Sequence, residues 1–381
     1  MLVKNVTIVV FNLDNNAFEP IGEINQYTSL MWPDKFNGHA TFELCAPITE
    51  ENKTLIRKGN VLWCGCDNAA MIEIIESDKN DSGEKTYKVK GRTLEMLLTT
   101  RIIWGTYDCN NKYTSTAMYE IVDRQCVNPS RIERKIPFLE CAVDENLGKK
   151  ITSQKTGGEV YEALQSLASD SDLGFSVLFR PIEKKLIFKV IEGVDRSIMP
   201  TAAGDSNPVI FSTDLEDILS SSYYTNDQDV KSVALVMGEG EGASRKRVTS
   251  GDDSSSGFLR RETYVDARDL RSEVLNDDGS TTALSEADYN ATLNNRGDEK
   301  LSECVVIETF EAQMRVTGGQ YTYGVDYNKG DKVIIEDLEL GVQVVGKITE
   351  VSENYDDEYE LVITFGYSYP TLIQKIKRQI S

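Results

Sequence analysis

The sequence is short of the residues that most hydrolases use for proton transfer and zinc binding. It contains a single histidine, His39, in the segment FNGHATFEL. A serine or cysteine hydrolase would have to use this residue as its base, and no GxSxG nucleophile elbow accompanies it. Zinc hydrolases need several histidines or an HExxH pair, and neither is present. We therefore expect His39 to be a structural residue at the start of a strand, and the chain not to be an enzyme.

Other patterns for bound groups are also missing. Residues 238–257, which begin GEGEG, are predicted to be an exposed loop, and they lack both the GxGxxG spacing and the GK[ST] ending of nucleotide loops. No DxDxDG calcium loop occurs. Paired carboxylates could hydrolyse glycans, but 62 acidic residues give close pairs by chance, and Asp252-Asp253 and Asp356-Asp357 lie in sequence typical of solvated turns. We expect no catalytic, cofactor-binding or metal-binding residues.

Tryptophan and cysteine are both scarce. The chain has three tryptophans and 8% aromatic residues, and their pattern predicts no aromatic surface for stacking on sugars. We interpret Trp32-Pro33 and Trp104-Gly105 as wedges between modules. The chain has seven cysteines. Small secreted domains that are held together by disulfides usually have an even number of cysteines in a short chain, so this chain does not fit that class. Cys64 and Cys66 form the one close pair, and we expect two reduced thiols on one face of a strand.

Long apolar runs are absent, and none approaches the roughly 20 residues that a membrane helix needs. The opening MLVKNVTIVVF is interrupted by polar residues and is followed by no small-residue cleavage site. We interpret it as a strand rather than a signal peptide. We therefore expect synthesis in a cytoplasm and no membrane insertion by this chain.

Basic charge is low relative to acidic charge. The 41 basic residues against 62 acidic ones give a net charge of -21. Proteins that bind nucleic-acid phosphates need clusters of basic residues that displace counterions, and proteins that bind anionic membranes need a basic surface as well. The acidic balance of this chain argues against both functions. Two explanations stay open: the charge serves solubility alone, or acidic surface lines a channel through which DNA passes without sticking.

The elements that are present predict an α+β multidomain protein with two small antiparallel β-barrel-like modules and α/β insertions. Short strands rich in Val, Ile, Thr and aromatics alternate with turn residues at both ends of the chain. The predicted regions are an N-terminal β-barrel-like domain (1–100), a mixed α/β domain (101–215), a strand with a mobile loop and a helical segment (216–303), and a C-terminal β-barrel-like domain (304–381). The predicted strands are 4–11, 21–29, 39–46, 61–66, 69–76, 86–90, 230–237, 304–310, 331–336, 342–351 and 358–365.

Apolar residues at helical spacing predict the helices. Ser285 is the expected N-cap of the last helical segment, with Leu284 and Tyr289 placed for a hydrophobic staple. A hairpin of 174–180 and 185–193 follows the third helix, as in an α/β module. The predicted helical stretches are 94–102, 115–126, 158–169 and 258–303.

Four segments occur along the chain in the order YTSLMWPDKFNGHATFEL, GRTLEMLLTTR, VDARD and YNKGDKV. Together they resemble the siphovirus ReqiPepy-type tail hub-like family of Gram-positive phages and prophages, over residues 4–368. Lys329 departs from the family pattern, which favours an apolar residue there. The matching residues are Tyr27, Ser29, Trp32, Phe36, Gly38, Phe42, Glu43, Leu44, Gly91, Arg92, Leu94, Leu97, Leu98, Arg101, residues 265–269, Tyr327, Gly330, Asp331 and Val333.

The resemblance implies a structural subunit of a phage or prophage tail tip, similar to the baseplate hub proteins of contractile tails. Such a subunit would form a homotrimeric ring that adapts the tail tube to the tip and lets DNA pass through its lumen. Its partners would be other tail proteins, namely the distal tail protein, the tape measure and the tail fibre. It would be made in the cytoplasm of a bacterial host and would end in the virion tail.

Two other functions stay open: a tail-associated hydrolase of cell-wall peptidoglycan, and a tail protein that binds a receptor or glycan. Within the motifs, we expect Gly330-Asp331 to form a turn that enters a strand. Asp266 and Arg268 are expected to form a buried ion pair or to cap a helix, because the planar arginine fork suits such pairing.

Overall fold

The computed structural model describes residues 6–13, 17–79, 85–197, 207–212, 218–275, 281–314, 320–337, 342–356 and 359–366. The molecule is mostly β-structure, with 47% strand against 21% helix. No helix of the described part has both the length and the apolar character that crossing a membrane requires.

The N-terminal part is a series of antiparallel strands in which apolar residues alternate with polar ones. In the fourth strand Phe42, Leu44 and Ala46 are buried and the residues between them are partly exposed, as in a strand with one face on the core. The predicted strand 21–29 is wrong at its centre, because one strand ends there and the next begins. The bounds are β1 (Ile8–Leu13), β2 (Phe18–Ile24), β3 (Ser29–Lys35), β4 (Thr41–Pro47), α1 (Glu50–Leu55), β5 (Val61–Trp63), β6 (Ala69–Lys79) and β7 (Lys85–Thr93).

The middle of the chain follows the predicted mixture of helices and strands. The stretch after β7 is a 3-10 helix, Leu94–Thr100, and the second predicted helix continues into a π-helical turn at Asp123–Val127. The hairpin is confirmed, with Arg180 paired to Lys185 beside its turn. The bounds are β8 (Thr106–Tyr113), α2 (Thr114–Val122), β9 (Leu139–Cys141), β10 (Lys150–Thr156), α3 (Val160–Asp170), β11 (Leu173–Arg180) and β12 (Lys185–Glu192).

Within the described ranges, the C-terminal half contains one α-helix and many strands. The bounds are β13 (Ile210–Ser212), β14 (Ile218–Asn226), β15 (Val233–Met237), β16 (Arg247–Gly251), β17 (Glu262–Asp266), β18 (Glu273–Leu275), β19 (Thr281–Ala283), α4 (Glu286–Glu303), β20 (Ile307–Met314), β21 (Lys332–Asp337), β22 (Val342–Tyr355) and β23 (Tyr359–Gly366).

Two predictions for this half need correction. The segment 238–257 is not one exposed loop, because it contains β16, which pairs with β15. Apart from a short 3-10 helix at Gly257–Leu259, only the second part of 258–303 is helical among the described residues, and β17, β18 and β19 precede it. These short strands are mostly polar and face water on one side, so their composition resembles that of loops. The Ser285 cap is confirmed, since its hydroxyl accepts a hydrogen bond of 3.1 Å from the Asp288 N–H.

The two terminal β regions are parts of one sheet. Thirteen strands join in the order β14-β20-β23-β22-β3-β4-β7-β6-β5-β1-β2, with β21 and β13 branching from β22. The antiparallel pair of β3 and β22, from Lys35 opposite Glu350 to Leu30 opposite Tyr355, connects the two regions. The two barrels expected from the sequence are not confirmed, because no sheet is closed within the described residues.

Four clusters of buried apolar residues pack against the strands of the large and smaller sheets in the described structure. The largest described cluster packs α2, α3 and the β11–β12 hairpin against Phe11 and Phe18 of the N-terminal strands. A separate cluster packs α4, through Tyr289 and Leu293, on Val236 and the strands around it. The fold therefore places the middle module against the N-terminal strands of the large sheet, and α4 packs on β10 and α3 of the middle module.

Candidate functional site

Phe36, directly after β3, connects three parts of the fold. Its backbone N–H donates to the Thr349 carbonyl in β22 at 2.9 Å, and its carbonyl accepts from the Phe175 N–H in β11 at 3.1 Å. The ring is buried, and the Lys347 ammonium lies 4.0 Å from its centroid, where a cation meets the negative face of the ring. We use the term junction for Phe36 and the residues around it: Gly174, Lys329, Gly330 and Asp331.

Two glycines make the close approach to Phe36 possible. A Cβ on Gly330 would overlap the Phe36 ring, and a Cβ on Gly174 would overlap the Phe36 carbonyl. Gly330 also has a φ of +92°, which L-residues rarely adopt. Glycine is therefore required at position 330 both by the contact with the Phe36 ring and by the positive φ.

Asp331 fixes the turn that enters β21, as the motif predicted. Its carboxylate is 3% exposed and pairs with the Arg196 Nε at 2.6 Å. It also accepts from the backbone N–H groups of Val194 and Asn328, each at 2.9 Å. Sequence reasoning missed Arg196 and Val194, because nothing in the local pattern links them to a residue more than a hundred positions away.

Lys329, the departure from the family pattern, belongs to a polar cluster in the junction. Its ammonium pairs with Asp34 at 2.5 Å and donates to the Ser176 hydroxyl at 2.9 Å. Nearby, the buried Glu95 accepts from the Val177 N–H at 2.8 Å. Burial raises the pKa of Glu95, and the positive charge of Lys329 opposes that shift. The positive charge of Lys329 thus offsets the negative charge of Asp34 and Glu95, which an apolar residue at this position could not do.

His39 lies just before β4, as expected, and packs between aromatic and charged side chains. Its ring stacks on Tyr161 at 4.9 Å between centroids. Arg92 approaches its Nε2 at 3.5 Å while making a bidentate pair with Glu73, at 2.6 and 2.7 Å. Burial, followed by the charge of Arg92, lowers the pKa of His39. These contacts fasten β4 and β7 to α3 and suit a packed neutral ring.

The VDARD segment differs from its expected form. The Arg268 side chain is 66% exposed, and its pair with Asp266 at 2.6 Å lies on the surface, so the buried pair is wrong. The better-buried partner is Arg245, which pairs with Asp266 at 2.7 Å and is 11% exposed. Its Nε also donates to the Gly238 carbonyl at 2.9 Å. Hydrogen bonds from Arg268 and Arg245 lower the pKa of Asp266.

The cysteines and acidic pairs form no reactive arrangement in the described structure. Cys64 and Cys66 are free thiols, but they follow β5 rather than lying within it, so the strand prediction was wrong. Asp253 pairs with Arg260 at 3.0 Å in a surface turn, whereas the second half of the pair at 356–357 lies outside the described residues. Within the described ranges, no group of histidine, cysteine and acidic side chains could hold a metal ion.

The two tryptophan dipeptides have different environments. Trp32 and Pro33 are buried in β3, the strand that joins the two β regions, so they lie at the expected boundary as paired strand residues. Trp104 is 53% exposed. Its interpretation as a wedge is wrong, because the Arg131 and Arg134 guanidiniums flank its ring at the surface.

The comparisons with known proteins agree with these motifs over nearly the whole chain. The model of the siphovirus ReqiPepy6 Gp37-like protein family matches residues 8–367. The chain belongs to this family. The match runs from the first described strand through β23, so it includes the junction, the VDARD segment and the Trp104 surface. The resemblance that the sequence motifs indicated is confirmed.

The fold is similar to that of solved phage tail proteins. A tail protein from Neisseria meningitidis MC58 aligns with a TM-score of 0.52 and 14% identity, over 94% of this chain and 96% of that one. The 43 kDa tail protein of prophage MuSo2 from Shewanella oneidensis aligns with a TM-score of 0.50 and 13% identity, over 94% and 97%. No curated protein matches the sequence significantly. This chain therefore belongs to a siphovirus protein family and shares the fold of phage and prophage tail proteins.

Proposed function

We propose that the chain is a structural subunit of the tail tip, where three copies form a hub ring that adapts the tail tube to the tip and lets DNA pass. The observation that carries the proposal is the family match across residues 8–367. The proposed partners are the distal tail protein, the tape measure and the tail fibre, and the proposed location is the virion tail.

The joining of the two β regions in one sheet supports a role in which the subunit transmits force. A subunit between tube and tip must transmit force without its halves separating. The β3–β22 pair and the junction at Phe36 provide that continuity through backbone hydrogen bonds. Cyclic symmetry of three such subunits would close them into a ring.

The edge of the large sheet supports assembly. Among the described strands, β2 pairs only with β1, so its outer backbone groups are available to another strand. Ile21 on this strand is 43% exposed, and open edges are templates for pairing with another chain. The net charge of -21 supports a lumen that repels the DNA backbone instead of binding it.

Electron microscopy of the purified full-length protein tests this function. We expect three-fold class averages with an open centre. Particles that show only single subunits, or rings without a central opening, would contradict the proposal. Incubating the same preparation with purified cell walls tests the hydrolase alternative, because a fall in turbidity would reveal peptidoglycan cleavage.

A further inference from the structure

An exposed aromatic residue in contact with two arginines forms an unusual surface on the middle module. The Trp104 side chain is 53% exposed, and the Arg131 and Arg134 guanidinium carbons each lie 5.1 Å from its ring centroid. Such cation–π contacts hold the planar groups together. The exposed Ile132, at 72%, lines the same shallow hollow. We use the term Trp104 surface for Trp104, Arg131, Ile132 and Arg134.

Hydrogen bonds hold this surface in place before anything binds to it. The side-chain oxygen of the buried Gln125 accepts from both the backbone N–H of Trp104 and the Arg134 Nη1, each at 3.0 Å. The Arg134 Nη2 also donates to the Ile102 carbonyl at 2.6 Å. Because these groups are ordered already, a partner would lose little conformational entropy in binding them.

The positive charge of the surface is not neutralised locally. Arg92 and Arg196 each hold a carboxylate at 2.6 Å. By contrast, Arg131 and Arg134 have no carboxylate in ion-pair distance within the described ranges. One acidic residue, Glu133, lines the hollow beside them. A chain with a net charge of -21 therefore displays a local basic surface around an exposed tryptophan.

We propose that the Trp104 surface is an interface that binds an acidic surface of a second copy of this chain. The inference rests on the proposed ring, since rotational symmetry of three copies brings one face of each subunit against a different face of the next. Every copy carries 21 acidic charges in excess, which supplies the complementary surface. Tryptophan and arginine are also the residues that most often dominate binding energy at interface centres.

The experiment compares the self-association of full-length variants by mass photometry across a concentration series. The interface variants are Trp104→Ala, Arg131→Glu and Ile132→Asp. Matched controls are Arg57→Glu and Ile182→Asp, which change an exposed arginine and an isoleucine that is 97% exposed elsewhere on the chain. Circular dichroism shows whether each variant is folded, and these exposed positions should tolerate the changes.

We expect each interface variant to weaken trimer formation by at least about tenfold, as loss of a central interface residue does, while the controls associate like the wild type. Higher salt should weaken the wild type and affect Arg131→Glu less. A wild-type trimer that every interface variant also forms with unchanged affinity would overturn this inference and leave the ring intact. A wild type that stays at 42.6 kDa at all concentrations would overturn both.

Discussion

The Phe36 N–H donates a hydrogen bond of 2.9 Å to the Thr349 carbonyl, which joins residues from opposite ends of the sequence. The bond extends the β3–β22 pairing by one position beyond Lys35. The same residue also bonds to β11 through its carbonyl. The terminal β regions and the middle module therefore all meet at Phe36, and the stability of the subunit should be sensitive to small changes there.

Gly330→Ala should destabilise the protein by about 2–4 kcal/mol, because it combines backbone strain with an overlap onto the Phe36 ring. Denaturant unfolding measures the loss. Gly59→Ala is the matched control, since Gly59 has a φ of +87° but an added Cβ would meet nothing within 4 Å. The control should lose only about 1 kcal/mol. Equal losses in the two variants would mean that the contact with Phe36 contributes nothing.

Lys329→Met should cost about 1–3 kcal/mol, because it restores an apolar residue but leaves Asp34 half-buried without its partner. The Lys329→Met/Asp34→Asn double variant should lose less than the sum of the single changes. Lys184→Met removes a surface pair with Glu19, in which both side chains are more than half exposed, and should cost under about 0.5 kcal/mol. Additive losses at Lys329 and Asp34 would show that the pair is not coupled.

Glu95→Gln should make the protein more stable at neutral pH and change its pH dependence. Burial raises the folded-state pKa of Glu95 above its unfolded value, so the folded state binds the proton more tightly. The contribution of Glu95 to the free energy of unfolding of the wild type therefore increases as the pH falls through the folded-state pKa. It levels off near the pKa of the unfolded chain, about 4.3. The advantage of the variant should shrink over this window. A difference that stays constant from pH 7 to pH 4.5 would contradict the shift.

Arg268→Ala should change stability by less than about 0.5 kcal/mol, because the side chain is an exposed surface group. Arg245→Ala should cost more, about 1–2 kcal/mol, since its guanidinium bonds to Asp266 and to the Gly238 carbonyl. Thermal unfolding of the two single variants compares them directly. A larger loss at Arg268 would restore the buried arrangement that the sequence suggested.

Local elements could be predicted well from the sequence where periodicity and turn chemistry agree. The helix at Val160–Asp170 and the hairpin after it are examples. The pairing of β3 with β22 could not be predicted, because alternation shows that a strand has a buried face and does not show its neighbour. Because the β3–β22 pairing was not known, the sequence predicted two separate barrels where the structure has one continuous sheet.

The junction was only partly visible in the sequence. Gly330 and Asp331 were found through the motif, and Lys329 through its departure from it. Their partners Phe36, Asp34 and Arg196 are distant in sequence, so their contacts depend on tertiary structure. Arg245 was missed for a simpler reason: its segment resembles a loop, although its guanidinium folds back onto the end of β15.

The position and copy number of the protein in assembled tails distinguish a hub at the tip from other tail components. Tails purified from cells that produce the protein can be labelled with gold-tagged antibody, and the number of copies per tail can be measured by quantitative mass spectrometry. The proposed hub predicts label at the tip alone and three copies per tail. Label along the tube, a copy number that scales with tube length, or absence from the tails would contradict it.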